Sequence, residues 1–225
     1  MRVVSLIPSV TETLSSWGIT PVGCTRFCER PDICNVGGTK NPNIDLICEL
    51  KPDLVVLDTE ENRLQDYEAL TERGVPTHTL SVTSVEGAYS QLSDLAATLD
   101  ICWKAPPLPP ARPTRTSAFV PIWKRPLIAL GSPTYGASLL AILGISTLPS
   151  GAAPYPVIKE TEARELLVDL VLAPSEPYPF GERHRDFLSQ FGTVVFLEGK
   201  DLFWWGVRTK GALSRLQVVL EARTR

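Results

Sequence analysis

Histidine is nearly missing from this chain: His78 and His184 are the two it holds, so a histidine-based triad or a histidine-rich metal site would be poorly supplied. The G-x-S-x-G nucleophile elbow, the G-x-x-x-x-G-K-S/T phosphate loop and the G-x-G-x-x-G dinucleotide turn are absent. Gly37-Gly38-Thr39-Lys40 resembles the end of a phosphate loop but lacks its upstream glycine. The five cysteines (Cys24, Cys28, Cys34, Cys48, Cys102) form no C-x2-C knuckle, so a structural zinc site is not indicated. In a cytoplasmic chain they read as reduced thiols. No apolar run is long enough to span a bilayer. A formal charge of −3 and a pI near 5.5 leave no electrostatic reason to expect nucleic acid. Met1-Arg2 leads at once into a strand-like run, with no basic stretch or cleavage site of a secretory signal. The expectation as written is a cytoplasmic chain, and a periplasmic or cell-surface one if the true start lies upstream.

What the chain does contain is an internal echo. Glu49-Leu50-Lys51-Pro52-Asp53-Leu54-Val55-Val56-Leu57 returns as Glu165-Leu166-Leu167-Val168-Asp169-Leu170-Val171-Leu172-Ala173. Leu14-Ser15-Ser16-Trp17-Gly18-Ile19 returns as Leu140-Ala141-Ile142-Leu143-Gly144-Ile145, and Leu70-Thr71-Glu72-Arg73-Gly74-Val75 more loosely as Leu188-Ser189-Gln190-Phe191-Gly192-Thr193. Three matches in one order imply two lobes of one topology, and 44% hydrophobic residues give each lobe a modest core.

Residues 2–7 read as a buried strand, and Ser9-x-x-Glu12 behind Pro8 as a capping box opening a helix that ends near Gly18. Further strands are predicted at 22–25, 54–58 and 76–80, helices at 44–50 and 64–73, and an irregular connection over 26–43. This alternation calls for parallel strands with helices on both faces. Over 84–103, Val85, Ala88, Tyr89, Leu92, Leu95, Ala96 and Leu99 share one face of a helix. It would be about 30 Å long, enough to lie across both lobes. Pro106-Pro107-Leu108-Pro109-Pro110 ends it. In the second half, strands are predicted at 127–130, 145–148, 169–173 and 194–197, and helices at 136–143, 160–167, 182–191 and 210–222. The expected fold class is α/β: two Rossmann-like lobes (1–83 and 118–225) with parallel sheets, joined by one long helix and a proline-rich linker (84–117), with a ligand cleft between the lobes.

Ligands of open α/β sheets bind outside the carboxyl ends of the strands, so the loops at those ends are the places to search. The adjacent aromatics Phe203, Trp204 and Trp205 either cover the end of the sheet as core or wall a flat ligand. Glu60-Glu61-Asn62 either binds a cation or an amide, or caps a helix. His78 reads as a satisfied strand residue and His184 as solvated on a polar helix face. A thiol chemistry is also open, with Cys28 activated beside Lys40 and Glu61 as a nucleophile or soft metal ligand.

Ser5 through Glu12, Gly18 through Gly23, and Asp45 through Leu54 with Leu50-Lys51-Pro52-Asp53-Leu54 resemble the class III periplasmic-type binding proteins, the fold of cobalamin and ferric-siderophore receptors. Phe27-Cys28, Gly37 through Pro42, Glu60-Glu61-Asn62, Ile122-Trp123, Ser175 through Phe180 and Trp205-Gly206 are most similar to the signal-less helical backbone metal receptors. The resemblance implies a non-enzymatic protein that binds a metal chelate, foremost a corrinoid, as a monomer, with no catalytic cofactor. It implies ligand contacts at Ser9, Phe27, Tyr135, Tyr155, Trp204 and Trp205, to which Cys28 and the polar anchors Lys40, Glu61 and Arg208 are added. It also implies docking to an ABC-transporter permease through one acid per lobe, Asp45 in the first and Glu160 or Glu162 in the second. The proline run cuts the family's long helix short here.

Overall fold

The computed structural model describes residues 1–151 and 153–222. They fall into two units. Unit 1 holds Met1–Val82, Glu86–Ala105 and Trp205–Arg208; unit 2 holds Thr83–Val85, Pro106–Trp204 and Thr209–Arg225, of which 152 and 223–225 lie outside the described residues.

In unit 1 the chain runs β1 (Val3–Ser5), α1 (Pro8–Ser16), β2 (Gly23–Cys24), β3 (Gly37–Gly38), β4 (Asn41–Pro42), α2 (Ile44–Glu49), β5 (Leu54–Asp58), α3 (Leu64–Glu72), β6 (Thr77–Leu80) and α4 (Val85–Thr98). The sheet order is β2-β1-β5-β6, all parallel, with Val4 opposite Val55 and Val56 opposite His78. β1 and β5 are buried along their whole length, as unbroken apolar runs in a parallel sheet require. Val4, Leu6, Val36, Ile47, Val55, Leu57 and Leu70 form the core on one side.

Two helix ends differ from the expectation. The capping box at Ser9 does not form: Ile7 is the N-cap of α1, Pro8 occupies the first turn, and no side chain caps it. Proline at that position has no N–H to satisfy and a φ already set for helix, so the helix starts two residues earlier without a side-chain acceptor. The seven apolar positions predicted from Val85 to Leu99 are all buried, but the helix stops at Thr98, just short of the last, and is about 21 Å long. Its end is a local motif rather than the proline run. Asp100 takes a φ of 55° while its N–H donates to the Ala97 carbonyl and the N–H of Ile101 to that of Ala96.

Unit 2 runs β7 (Thr116–Phe119), β8 (Pro121–Lys124), β9 (Leu127–Ala129), α5 (Tyr135–Ile142), β10 (Ile145–Leu148), α6 (Glu160–Glu165) and β11 (Leu170–Pro174). A 3-10 turn at Glu182–His184 then leads to α7 (Arg185–Leu188), β12 (Thr193–Leu197), α8 (Gly199–Phe203) and α9 (Thr209–Glu221). Its sheet order is β10-β7-β11-β12, again all parallel. Numbered within each four-stranded sheet, both read second, first, third, fourth. The echo in the sequence is therefore a repeat of topology.

The repeat extends to backbone detail. Gly18 and Gly144, which end α1 and α5, both have φ 80°, a conformation glycine adopts without steric cost. Lys51 and Leu167 occupy matched positions with φ 46° and 47°. Asp53 accepts the Arg2 N–H at 2.6 Å, and its counterpart Asp169 accepts the Ser117 N–H at 2.7 Å, each carboxylate tying the third strand to the start of the first.

The first strand of the second sheet is not 127–130. That segment lies in a two-stranded antiparallel hairpin, β8–β9, and the sheet strand is β7. The unbroken run Leu127-Ile128-Ala129-Leu130 reads as more deeply buried than Thr116-Ser117-Ala118-Phe119. Yet Ala118, Phe119 and Val120 are wholly buried and Phe119 packs edge-on against Phe191 in the core. The helix predicted over 182–191 is reduced to the 3-10 turn and α7. A cavity of about 450 Å³ lies beside β12, α8 and α9, lined by Phe196, Arg215, Leu216 and Val218 among others, and no sequence-predicted site residue lines it.

Candidate functional site

In unit 1 the loops beyond the strand ends are knotted together by two buried side chains, Asn62 and an aspartate that the site reading did not include. Asp58, at the end of β5, accepts the N–H groups of Glu60 (2.8 Å) and Glu61 (3.2 Å) on Oδ1. Asn62 accepts the Asp58 N–H at 2.9 Å and donates to the carbonyls of Thr39 (2.9 Å) and Leu6 (3.3 Å). So the loops after β1, between β3 and β4, and after β5 share one amide. The helix-capping alternative for residues 60–62 does not hold, since Arg63 is the N-cap of α3 and no side chain caps it. A signal was present: Asp two and three residues ahead of the N–H groups it accepts is a common local turn.

Asp58 is 2% exposed, and among the described residues its Oδ2 has no partner. Burial pushes its pKa up to about 6, against the pull of the Glu60 and Glu61 N–H groups.

Lys40 is brought to this cluster and donates its ammonium to the Glu60 carbonyl, so Lys40 and the Glu60–Glu61 turn do meet. Residues 37–42 form the hairpin β3–β4 and not a phosphate loop. Phe27 is 50% exposed, with the Arg26 guanidinium 5.1 Å from its ring centre and bonded in turn to Asn41. Cys28 is not brought to Lys40 and Glu61. Its sulfur accepts from Thr11 Oγ1 at 3.2 Å, lies 3.2 Å from Thr25 Oγ1 and packs in one buried cluster with Cys24. These contacts, the one from Cys24 first, bring its pKa down to about 6, while the same contact and burial push Cys24 up. Ser9 is buried on α1. Asp45, in the first turn of α2, pairs with Arg73 and stays largely exposed.

Of the tandem tryptophans, Trp204 belongs to unit 2 and Trp205 to unit 1. Trp205 is buried; Trp204 is half-buried with the Lys200 ammonium 5.0 Å from its ring centre. The backbone at Gly206 (φ 108°) passes so close to α1 that a Cβ there would sit 2.4 Å from Thr13 Oγ1, so only glycine fits. Just beyond, Arg208 forks onto the Glu12 carboxylate at 3.0 and 3.1 Å.

In unit 2, Tyr135 is buried and its hydroxyl lies 2.9 Å from Thr209 Oγ1. Thr134 caps α5 by accepting the Ala137 N–H and donates to the Gly131 carbonyl at 2.7 Å. Residues 154–158 run along β9, through the N–H groups of Ala129, Gly131 and Ile158, and hold Tyr155 41% exposed. Glu160 and Glu162 are half-exposed on α6 and pair with Arg164 and Lys159. The loop after β11 carries Tyr178, which meets Trp123 edge-on at 5.5 Å, Phe180 at 4.7 Å and His184 at 5.5 Å. His184 is therefore buried in an aromatic cluster, contrary to the solvated position expected of it. The 3-10 turn swings its ring inward, where its Nδ1 accepts the Gly181 N–H. Burial, and next the charge of Arg183, lower its pKa. Trp123, 42% exposed on β8, is an aromatic surface the site reading left out.

Two parallel sheets of one topology, with aromatic and charged loops at the strand ends, invite comparison with known proteins. Residues 3–101 match the family model described as periplasmic binding protein. The vitamin B12-binding protein of Salmonella choleraesuis is 33% identical over 100 residues, covering 43% of this chain and 38% of that protein. The chain thus spans about two fifths of the length of such curated relatives. The periplasmic vitamin B12 binding protein BtuF of Vibrio cholerae superposes with a TM-score of 0.78 at 16% identity, covering 100% of this chain and 98% of that one. A periplasmic heme binding protein from Pseudomonas aeruginosa gives 0.80 at 19% identity, over 99% and 93%.

The fold is that of the class III periplasmic binding proteins. Among the described residues no helix is long and apolar enough to cross a membrane. The cytoplasmic location expected from the N-terminus finds no support, since the matching family and these structural neighbours are periplasmic.

Proposed function

We propose that this chain is a non-enzymatic, monomeric substrate-binding protein for a bulky metal chelate, foremost a corrinoid and otherwise haem or a ferric chelate, which it delivers to an ABC-transporter permease. The observation that carries the reading is the display of large aromatic side chains on strand-end loops: Phe27 is 50% exposed and Tyr155 41%. Exposed rings cost solvation unless a ligand covers them, and they offer wide apolar contact with little entropy loss. The corrinoid is favoured because the 100-residue match at 33% identity is to a vitamin B12-binding protein.

In unit 1, Phe27 would supply the apolar contact, with Lys40, Glu61 and Arg208 as polar anchors and Ser9, Cys28 and Trp205 supporting the loops from beneath. In unit 2, Tyr155 and Trp204 would supply contact above Tyr135. The exposed acids Asp45, Glu160 and Glu162 would face the permease. Each already carries a basic partner, so docking would exchange one ion pair for another. The thiol-enzyme reading is not favoured, because Cys28 is turned toward Cys24, Thr11 and Thr25 instead of Lys40.

Calorimetric titration of the protein with cyanocobalamin, dicyanocobinamide, haemin and ferrichrome tests the reading. Corrinoid binding that weakens about tenfold or more in Phe27→Ala and in Trp204→Ala is the expected result. Flat titrations with all four compounds would dispose of it.

A further inference from the structure

Cys24 and Cys28 carry thiols whose chemistry the proposed function does not use, although it gives the Cys28 side chain a supporting place beneath the loops. Cys24 closes β2, with its N–H donating to the Cys34 carbonyl and its own carbonyl accepting from Val36, both at 2.9 Å. Four residues on, the N–H of Cys28 returns to the Thr25 carbonyl at 3.0 Å and closes a turn. This geometry packs the two cysteine side chains into one buried cluster. Both are free thiols, 2% and 5% exposed, and with Ile33 they make a small apolar cluster of their own. Thr11 and Thr25 hydroxyls, each 3.2 Å from the Cys28 sulfur, are placed to stabilise negative charge on it.

Two sulfurs on a fixed backbone, dry and braced by hydroxyls, make a donor set for a soft cation. Zinc would need about four ligands. Among the described residues no third cysteine, histidine, aspartate or glutamate joins the pair to complete such a set. A closed-shell monovalent ion such as Cu(I) or Ag(I) accepts two thiolates and prefers sulfur to oxygen or nitrogen donors. We infer that Cys24 and Cys28 bind one soft monovalent cation of the Cu(I) type through their two sulfurs. Binding displaces the two thiol protons to solvent and changes no oxidation state; the site then carries one net negative charge, with the Arg30 guanidinium acting on it from nearby. The hydroxyls of Thr11 and Thr25 orient and support the Cys28 sulfur as outer-shell groups do in other metal sites. The loop above is open to solvent at Arg26, Phe27, Glu29 and Asp32, which gives the ion a short way in.

The test is an anaerobic titration of the fully reduced protein with Cu(I) held by the chromophoric chelator bathocuproine disulfonate. One equivalent should be withdrawn, with a new ultraviolet sulfur-to-metal absorption. Cys24→Ser and Cys28→Ser should each abolish it, while Cys34→Ser, Cys48→Ser and Cys102→Ser leave it intact. Thr25→Val should keep the stoichiometry and weaken affinity about tenfold or more. Should either serine variant fail to fold, alkylation of the wild-type protein in quenching denaturant, with and without one equivalent of Ag(I), reads the same site. Protection mapped by mass spectrometry to Cys24 and Cys28 supports the inference. No copper uptake, uptake that persists in both serine variants, or protection at other cysteines overturns it. Since no chelate ligand is used, failure here leaves the proposed function standing.

Discussion

Unit 1 and unit 2 share a sheet order, and they differ in the connection that leaves the first strand. In unit 1, β1 passes through Leu6 and Ile7 straight into α1. In unit 2, fifteen residues separate Phe119 from the start of α5 at Tyr135 and include the β8–β9 hairpin. The repeat therefore conserves the parallel core and lets the connection vary. That is the pattern expected when strand registry is held by a buried sheet while loops at its edge tolerate insertion. The inserted hairpin carries Trp123 and, along its edge, the segment that presents Tyr155. The same insertion also misleads a reading by apolar run length.

The largest test of the comparison sets β7 against β9. Phe119 is wholly buried in the core of unit 2, while Ile128 on the hairpin is half-buried. Phe119→Ala should cost about 3–5 kcal/mol in urea unfolding and Ile128→Ala roughly 1 kcal/mol. Equal costs would mean that the hairpin, not β7, anchors the second sheet.

A second test uses two buried titrating groups, one in each unit, whose signs are opposite. Asp58 in unit 1 has its pKa raised to about 6, above the ordinary carboxylate value, so the folded state holds its proton more tightly than the unfolded state. Its contribution is complete below about pH 4 and is lost as pH rises through about 6, a change of about 2–3 kcal/mol. His184 in unit 2 has its pKa lowered, so stability falls as pH drops below the unfolded value of about 6.5. Asp58→Asn should remove the loss between pH 4 and 6, and His184→Gln the acid-side loss near pH 6. If each variant keeps the wild-type slope, the two groups are not buried as described.

The smallest effect probes the repeat itself. Lys51→Gly and Leu167→Gly relieve matched left-handed residues, at φ 46° and 47°, and each should stabilise by about 0.5–1 kcal/mol. Thermal melts in which one gains and the other loses would break the equivalence of the two turns.

Much of the fold was legible along the chain. The apolar face of α4, the buried runs of β5 and β11, and the glycines that end α1 and α5 are local features, and local periodicity reports them directly. The candidate site was legible in its loops and less so in its atoms. Phe27, Lys40 and Tyr155 lie on the strand-end loops where they were sought. Asn62 was named as a possible ligand or cap, but its role in tying three of those loops together was not legible, because its partners Leu6 and Thr39 are 56 and 23 residues away in sequence.

By itself the sequence determined the elements that repeat, because strand burial, helix phase and left-handed turns depend on residues within a few positions of one another. Tertiary structure alone decided which apolar segment entered the second sheet, that His184 turned into an aromatic cluster, that Arg208 met Glu12, and that the Cys28 sulfur faced Cys24 instead of Lys40. Each of those outcomes is a competition between partners brought together by chain closure, and neither composition nor spacing records which partner is nearer once the core has formed.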